Sequence, residues 1–234
     1  MHFNIRPSVL LHDFIALIYP QNCPGCDKSL VKGEKILCTI CRYNLPVTNY
    51  HQETQNPLYQ KLMGRIRLEG AYPYMFFYKS GIVQSILHHF KYKNQPEIGH
   101  QLGIWLGEDL LVNIVPSWDL IIPVPLHPLK EKRRGYNQSD YLASGLSEAT
   151  GIPWSKKVVA RSIKSETQTH KSKTERWENV KGIFSVTNLN EVKDKHILLV
   201  DDVITTGATL ESCGTTLLEA GAKALSIASI AVAR

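Results

Sequence analysis

The segment from residue 197 to residue 220 constrains the fold more than any other part of the chain. Four apolar residues at 197–200 are typical of a buried strand, and residues 210–220 have the apolar spacing of a helix. Between them lie two adjacent acids, Asp201 and Asp202, and a loop with three threonines and one glycine. A strand that delivers two carboxylates and a small-residue loop to a helix N-terminus predicts a site for a phosphorylated, polyhydroxyl ligand.

A simpler interpretation of this segment is that an aspartate caps the next helix. Capping explains one acid, but it does not explain two adjacent acids followed by a threonine- and glycine-rich loop. The loop is not a Walker loop, because no lysine follows Gly207, and it lacks the spaced glycines of a dinucleotide fingerprint. It resembles the phosphoribosyl-pyrophosphate (PRPP) motif of type I phosphoribosyltransferases, which consists of a hydrophobic strand, two acids and a short Thr/Gly loop.

Strand and helix patterns alternate through most of the chain. We predict strands at 72–78, 119–124, 157–160, 183–186 and 224–232, and helices at 81–92, 97–111 and within 139–150. This alternation predicts an α/β fold with a parallel sheet flanked by helices, whose ligands bind beyond the carboxyl ends of the strands. We expect an N-terminal module with a short helix at 9–18 over residues 1–47, a linker at 48–57 and the α/β domain at 58–234.

Four of the five cysteines form two Cys-x-x-Cys pairs, Cys23 with Cys26 and Cys38 with Cys41. Two such knuckles bring four thiolates to the tetrahedral spacing that suits Zn²⁺, and a site closed by four thiolates is structural rather than catalytic. Disulfides are one alternative, which a cytoplasmic setting disfavours, and a redox pair is another, which the second matched pair disfavours. The remaining Cys213 is predicted to be a small buried hydrophobe.

Two further segments concentrate positive charge. Residues 123–128 contain three prolines after a predicted strand, and four cations follow within residues 130–134. These cations are suitable donors for a pyrophosphate, although a solvated helix face would also carry them. Residues 161–179 are polar and basic, which indicates either a mobile loop that closes over a charged intermediate or a surface loop without a role.

The bulk properties restrict the partners and the setting. The 234-residue chain has a formal net charge of +6 at pH 7, which favours phosphate substrates or nucleic acid. No apolar run approaches the length of a membrane span, and no cleavage site follows the apolar residues at 9–18. We therefore expect a cytoplasmic protein without membrane insertion, and its oligomeric state stays open.

Four segments together resemble the ComF family of competence-associated phosphoribosyltransferase-like proteins. They are CPGC…CTIC, PVPLHPLKEKRRGYNQS, TQTHKSKTERWENV and ILLVDDVITTGATL. In this order and spacing they cover most of the chain. The resemblance implies a type I phosphoribosyltransferase fold with an N-terminal four-cysteine zinc ribbon.

The resemblance also implies roles for individual residues. Asp201 and Asp202 would be catalytic and hold the ribose hydroxyls. The remaining PRPP contacts would come from two loops and one arginine, namely Val203, Thr205, Thr206, Gly207, Ala208, Thr209, Val124, Pro125, Leu126, His127 and Arg134. The flexible loop would include Thr167, Gln168, Thr169, Lys171 and Arg176, and the structural Zn²⁺ would be held by Cys23, Cys26, Cys38 and Cys41.

Two functions are compatible with these residues. The first is a PRPP-binding, Mg²⁺-dependent phosphoribosyltransferase-like protein whose acceptor the sequence does not identify. The second is a non-catalytic factor that binds single-stranded DNA during DNA uptake, together with DNA-uptake proteins, with PRPP as a regulatory ligand. The intact acid pair favours retained PRPP binding, because a purely structural descendant has no physical need for it.

Overall fold

A parallel four-stranded sheet forms the centre of the fold. The computed structural model describes residues 20–53, 55–161 and 183–233. The sheet contains β1 (Gly70–Phe77), β2 (Leu120–Pro123), β5 (His196–Ile204) and β6 (Ala224–Ala233), in the order β1-β6-β5-β2. A separate antiparallel pair is formed by β3 (Val159–Arg161) and β4 (Phe184–Val186). The predicted α/β fold with a parallel sheet is confirmed.

The helices connect and cover these strands. They are α1 (Thr39–Tyr43), α2 (Pro57–Met63), α3 (Ile82–Tyr92), α4 (Glu97–Asn113), α5 (Pro128–Arg134), α6 (Gln138–Thr150) and α7 (Ala208–Glu219). Short 3-10 helices lie at Tyr50–Gln52 and Leu189–Glu191. The patterns predicted α3, α4, α6 and α7 but not α1, which has five residues, nor α2 and α5, which have seven each.

Apolar side chains cover both faces of the sheet, which is why its central strands contain nearly continuous apolar runs. Phe90 of α3, Leu102 of α4 and Leu142 of α6 belong to the core on one face. Leu62 of α2 and Leu210 of α7 belong to the core on the other face. The carboxyl ends of the strands therefore emerge between two helical layers, where a ligand site is expected.

The predicted linker lies along β1. The amide of Thr48 donates to the carbonyl of Tyr74 (2.9 Å), and the amide of Phe76 donates to the carbonyl of Pro46 (2.8 Å). The fully buried Asn56 side chain donates to the Ala71 carbonyl (2.8 Å) and accepts from the Tyr59 amide at the start of α2. The division into a ribbon module, a linker and an α/β domain stays a prediction.

Two predicted segments lie outside the described residues. They are the N-terminal helix at 9–18 and the part of the basic loop that carries Thr167, Gln168, Thr169, Lys171 and Arg176. In the portions of the chain that are described, none of the helices combines the length and apolar character needed to cross a bilayer.

Candidate functional site

The acid pair lies near the carboxyl end of β5, between β6 and β2. Asp201 Oδ1 accepts hydrogen bonds from the Ser139 hydroxyl (3.1 Å) and from the Asp202 amide (2.8 Å). Asp202 Oδ2 accepts from the ammonium of Lys91, which is 2.6 Å away. The two carboxylates are therefore held in different ways, one by neutral donors and the other by a cation.

Burial dominates the electrostatics of Asp201. The pKa of its carboxyl is raised to about 7, chiefly by desolvation and next by the neighbouring charge of Asp202. Hydrogen bonds from the Asp202 amide and Ser139, together with the charge of Lys91, oppose this increase. Asp201 is thus a carboxyl that takes up or releases a proton near neutral pH, as is common in ligand sites.

Lys91 comes from the last turn of α3, a helix that covers the site. Its side chain and that of Asp202 are 19% and 16% exposed, so their ion pair is shielded from solvent. Removing one partner of a shielded ion pair leaves the other charge uncompensated, which is destabilising. Lys91 is a residue of the site that the sequence patterns did not identify.

The loop after β5 leads directly into the N-terminus of α7. Thr205, Thr206, Ala208 and Thr209 are exposed, whereas Gly207 is buried. The first amides of a helix have no acceptor within the helix, and the helix dipole is positive there, so this end favours a phosphate. The exposed hydroxyls and these amides provide donors in the same place.

Gly207 is required by its conformation and by its surroundings. Its φ is +81°, in the left-handed region that favours glycine. A Cβ at this position would lie 2.6 Å from Leu62 Cδ2 of α2. The loop therefore packs directly on α2.

Two cations from α2 and its C-terminal extension hold the same loop. Lys61 Nζ donates to the Thr205 carbonyl (3.3 Å), and Arg65 Nη1 donates to the Thr206 carbonyl (2.7 Å). Arg65 also pairs with Glu211 in the first turn of α7. These contacts turn two loop carbonyls towards the cations, and the sequence patterns did not predict them.

The proline-containing loop follows β2, next to β5. The Val124 amide donates to the Val200 carbonyl (2.8 Å), and Pro123 is paired with Val200, so Val124 begins the loop level with Asp201. His127 Nδ1 accepts from the Leu129 amide (3.2 Å) and caps α5, while Pro125, Leu126 and His127 are half-buried. Val124 to His127 thus form a short, constrained connection beside the acid pair.

Arg134 ends α5 and lies close to the same edge. Its Nη1 donates to Gln138 Oε1 (2.7 Å), and its guanidinium lies 5.6 Å from the ring centre of Tyr92 in α3. Its buried Nε has no hydrogen-bond partner within the described residues. Gln138 immediately precedes Ser139, so neighbouring residues of α6 contact Arg134 and Asp201.

The four paired cysteines converge on one point. Their sulfur atoms lie within 4.8 Å of one another, and the sulfurs of Cys26 and Cys38 are 3.7 Å apart. Tetrahedral Zn²⁺ with Zn–S bonds of about 2.3 Å would separate its sulfurs by about 3.8 Å, so the cluster fits this ion. The amides of Cys38 and Cys41 donate to the sulfurs of Cys23 and Cys38. The predicted burial of Cys213 is confirmed.

The structure therefore brings together the described part of the predicted site. Asp201, Asp202, the segment at 203–209, the loop at 124–127 and Arg134 lie at the carboxyl edge of one sheet. Four residues that the patterns missed also lie there, namely Lys61, Arg65, Lys91 and Ser139. Ser139 lies within the basic segment quoted above, but its contact with Asp201 requires the fold.

Comparisons with known proteins match the C-terminal part of the chain to a family model and most of the chain to individual proteins. Residues 132–234 match the family model described as "Phosphoribosyl transferase domain". Competence protein F of Haemophilus influenzae is 29% identical over 219 residues, which cover 89% of this chain and 96% of that protein. DNA utilization protein YhgH of Escherichia coli (strain K12) is 30% identical over 209 residues, with 88% and 87% covered. Competence protein ComFC of Bacillus subtilis is 36% identical over 153 residues, with 65% and 60% covered.

Proposed function

The chain belongs to the ComF family, and we propose that it binds PRPP with Mg²⁺ at the acid-pair site as a phosphoribosyltransferase-like protein. The observation that carries this proposal is the position of Asp201 and Asp202. The loop at the N-terminus of α7 follows them in the chain, and the loop after β2 lies beside them. A ligand with a phosphate, a sugar diol and a pyrophosphate has a matching group for each of these three parts.

Each part of the ligand is assigned by chemistry. The sugar hydroxyls donate to the carboxylates of Asp201 and Asp202, which are acceptors when ionised. The 5′-phosphate accepts from the hydroxyls of Thr205, Thr206 and Thr209 and from the first amides of α7. The pyrophosphate lies along residues 124–127, within reach of the cationic end of α5.

The donor set also fits Mg²⁺. This ion prefers oxygen ligands, and it usually retains water while binding one or two carboxylates and substrate phosphates. Asp201 and Asp202 supply the carboxylate oxygens, although Asp202 must first loosen its contact with Lys91. When bound, the ion stabilises the charge of a leaving pyrophosphate.

The residues of the site suit a displacement at the sugar carbon that carries the pyrophosphate. The carbon–oxygen bond to pyrophosphate breaks while a bond to the acceptor forms, and positive charge develops on the sugar ring. Asp201 and Asp202 place negative charge beside that ring, and Arg134 places positive charge beside the leaving group.

The cysteine cluster is proposed to hold a structural Zn²⁺. Four sulfur ligands complete a tetrahedral shell and leave no position for a substrate. Binding to such a site contributes on the order of 10 kcal/mol to folding.

Calorimetric titration with PRPP and Mg²⁺ tests the ligand. The variant D201N/D202N should bind PRPP at least about 100-fold more weakly, since each lost charged hydrogen bond costs about 1.5–3 kcal/mol. The control is E148Q, because Glu148 is exposed and lies far along α6. Equal affinities of the wild type and the double variant would remove the PRPP proposal.

Single-stranded DNA is a second candidate ligand, favoured by one exposed aromatic surface. Tyr92 is 59% exposed, its ring lies 5.2 Å from that of His88, and Arg134 lies on it. Exposed Lys93, Lys132 and Arg133 provide neighbouring positive charge. Stacking on aromatic rings within a basic surface is typical of proteins that bind single strands.

Binding of a labelled oligothymidylate across a salt series tests this second function. We expect the affinity to fall as salt rises, and Y92A to weaken binding by about 1–3 kcal/mol. An affinity that does not depend on salt would contradict it.

A further inference from the structure

A cavity of about 330 Å³ lies on the outer side of β2, apart from the acid pair. One wall is the start of α6, and another is the segment at 153–156, whose backbone runs beside β2. The Ile121 amide donates to the Pro153 carbonyl (2.9 Å), and the Ser155 amide donates to the Ile121 carbonyl (3.1 Å). The cavity is thus built on the sheet rather than on a surface loop alone.

The lining combines aromatic rings with negative charge. Tyr136, Tyr141 and Trp154 contribute the rings, and the first two meet edge to face with centres 5.2 Å apart. Glu131 and Asp140 contribute two carboxylates, against one cation from Lys156. Aromatic rings next to carboxylates are the combination that recognises organic cations.

Asp140 is a largely buried carboxyl whose cationic neighbour in the cavity does not approach it closely. Its side chain is only 13% exposed, and burial together with the charge of Glu131 raises its pKa. The Asn137 side-chain amide donates to it at 2.7 Å. Lys156 is 60% exposed and stays 3.8 Å away, which is longer than a hydrogen bond and typical of a weak surface pair.

We propose that this cavity binds a small organic cation, a guanidinium or a primary amine carried on a short apolar chain. The charged head contacts Asp140 in place of the Lys156 ammonium. The apolar chain lies against Trp154 and Tyr141. A neutral ligand makes only weaker hydrogen bonds to the two carboxylates, and an anionic ligand is repelled by them, so the site discriminates by charge.

The cavity shares one side chain with the proposed PRPP site. Asn137 Nδ2 donates both to Asp140 and to the Val124 carbonyl (3.1 Å), at the start of the loop after β2. The binding proposal does not depend on PRPP, because its test uses the unliganded protein.

Butylguanidinium and butylurea form a matched pair of probes, since they have nearly the same shape and differ in charge. Tryptophan fluorescence and chemical-shift titration of the whole protein follow their binding. We expect a dissociation constant on the order of 1 mM for butylguanidinium. Butylurea should bind at least about tenfold more weakly.

Three variants should have three different effects on the affinity for butylguanidinium. D140N should weaken butylguanidinium binding at least about tenfold, because the carboxylate is lost while the oxygen that accepts from Asn137 is retained. K156Q should strengthen it by about two- to fivefold, because the competing ammonium is removed. E148Q, further along α6, should leave it unchanged.

The variants also define what overturns the proposal. Equal binding of the two probes, or weaker binding to K156Q, would show that the cavity does not select cations. Lys156 is exposed, so K156Q is expected to fold and keeps the test decisive even where D140N is unstable.

Discussion

Replacing Asp201 with asparagine should stabilise the protein at high pH and, at the same time, weaken PRPP binding by about tenfold or more. In the folded chain the pKa of Asp201 is raised to about 7 from an ordinary value of 3.8, chiefly by burial. Between these two values the folded state binds a proton that the unfolded state has released. The free energy of unfolding therefore falls as the pH rises from about 4 to 7.

The size of this effect follows from the pKa. A difference of about three pH units, at about 1.4 kcal/mol for each, gives an upper value of about 4 kcal/mol at pH 8. Asparagine is neutral at every pH, and its oxygen retains the acceptor role towards Ser139 and the Asp202 amide. D201N should thus equal the wild type at pH 4 and exceed it by up to about 4 kcal/mol at pH 8.

Urea unfolding at pH 4, 5, 6, 7 and 8 measures the difference between the two proteins. In melting temperature the gain at pH 8 corresponds to as much as about 8–16 °C. S139A is the companion variant: it removes a donor to the carboxylate, should raise the pKa of Asp201 further, and should extend the loss of stability to higher pH. A D201N protein that is less stable than the wild type by the same amount at pH 5 and pH 8 would refute this reasoning.

Three other changes have defined outcomes. K91M leaves Asp202 without its cation and should lower the free energy of unfolding in urea by about 2–3 kcal/mol. An unchanged free energy of unfolding would show that this ion pair does not stabilise the fold. G207A should lower the free energy of unfolding by about 1–3 kcal/mol more than G135A does, because both glycines have positive φ but only Gly207 contacts Leu62. Equal losses in the two variants would show that the contact with Leu62 does not matter. Elemental analysis should find one zinc per chain and a chelator should lower the melting temperature, whereas absent zinc and an unchanged temperature would exclude the metal.

The sequence patterns succeeded where burial alone decides the structure. The apolar residues at 197–200 and the mostly apolar residues at 224–232 predict central strands because both faces of the sheet are covered, so no alternation is needed. The helices α3 and α4 are long enough for their periodicity to be recognised. The adjacent acids lie in the last part of β5, which continues to Ile204, so the strand extends past the apolar residues that predicted it.

The missed helices are short, and their signals lie at their first residues. Asn56 precedes Pro57 in α2, and His127 precedes Pro128 in α5. In each case a side chain caps the helix and a proline occupies the first turn. Seven residues give too few turns for a periodic pattern, so capping residues are the better indicator there.

The missed site residues have no local signal. Lys61 and Arg65 contact loop carbonyls that are 144 and 141 positions away in the chain. Lys91 lies on an amphipathic helix, where a lysine is usually solvated. These contacts arise from packing between distant elements, which no local spacing encodes.

Helix α3 gives a physical reason for the cysteine cluster and the acid pair to occur in one chain. At its start, Ser85 donates to the Pro24 carbonyl (2.6 Å), and a Cβ at Gly25 would lie 3.0 Å from Ile82. At its end, Phe90 accepts from Tyr136 and Lys91 pairs with Asp202. Eleven residues span only about 16 Å, so the cluster supports the helix that positions Lys91.

This arrangement extends the chelation experiment to ligand binding. If α3 transmits the state of the cluster, a chelator should weaken PRPP binding in the wild type at temperatures where the α/β core stays folded. In K91M the same treatment should have a smaller effect on PRPP affinity, because the side chain that α3 positions has been removed. An equal effect in both proteins would show that the cluster acts on overall stability and not through Lys91.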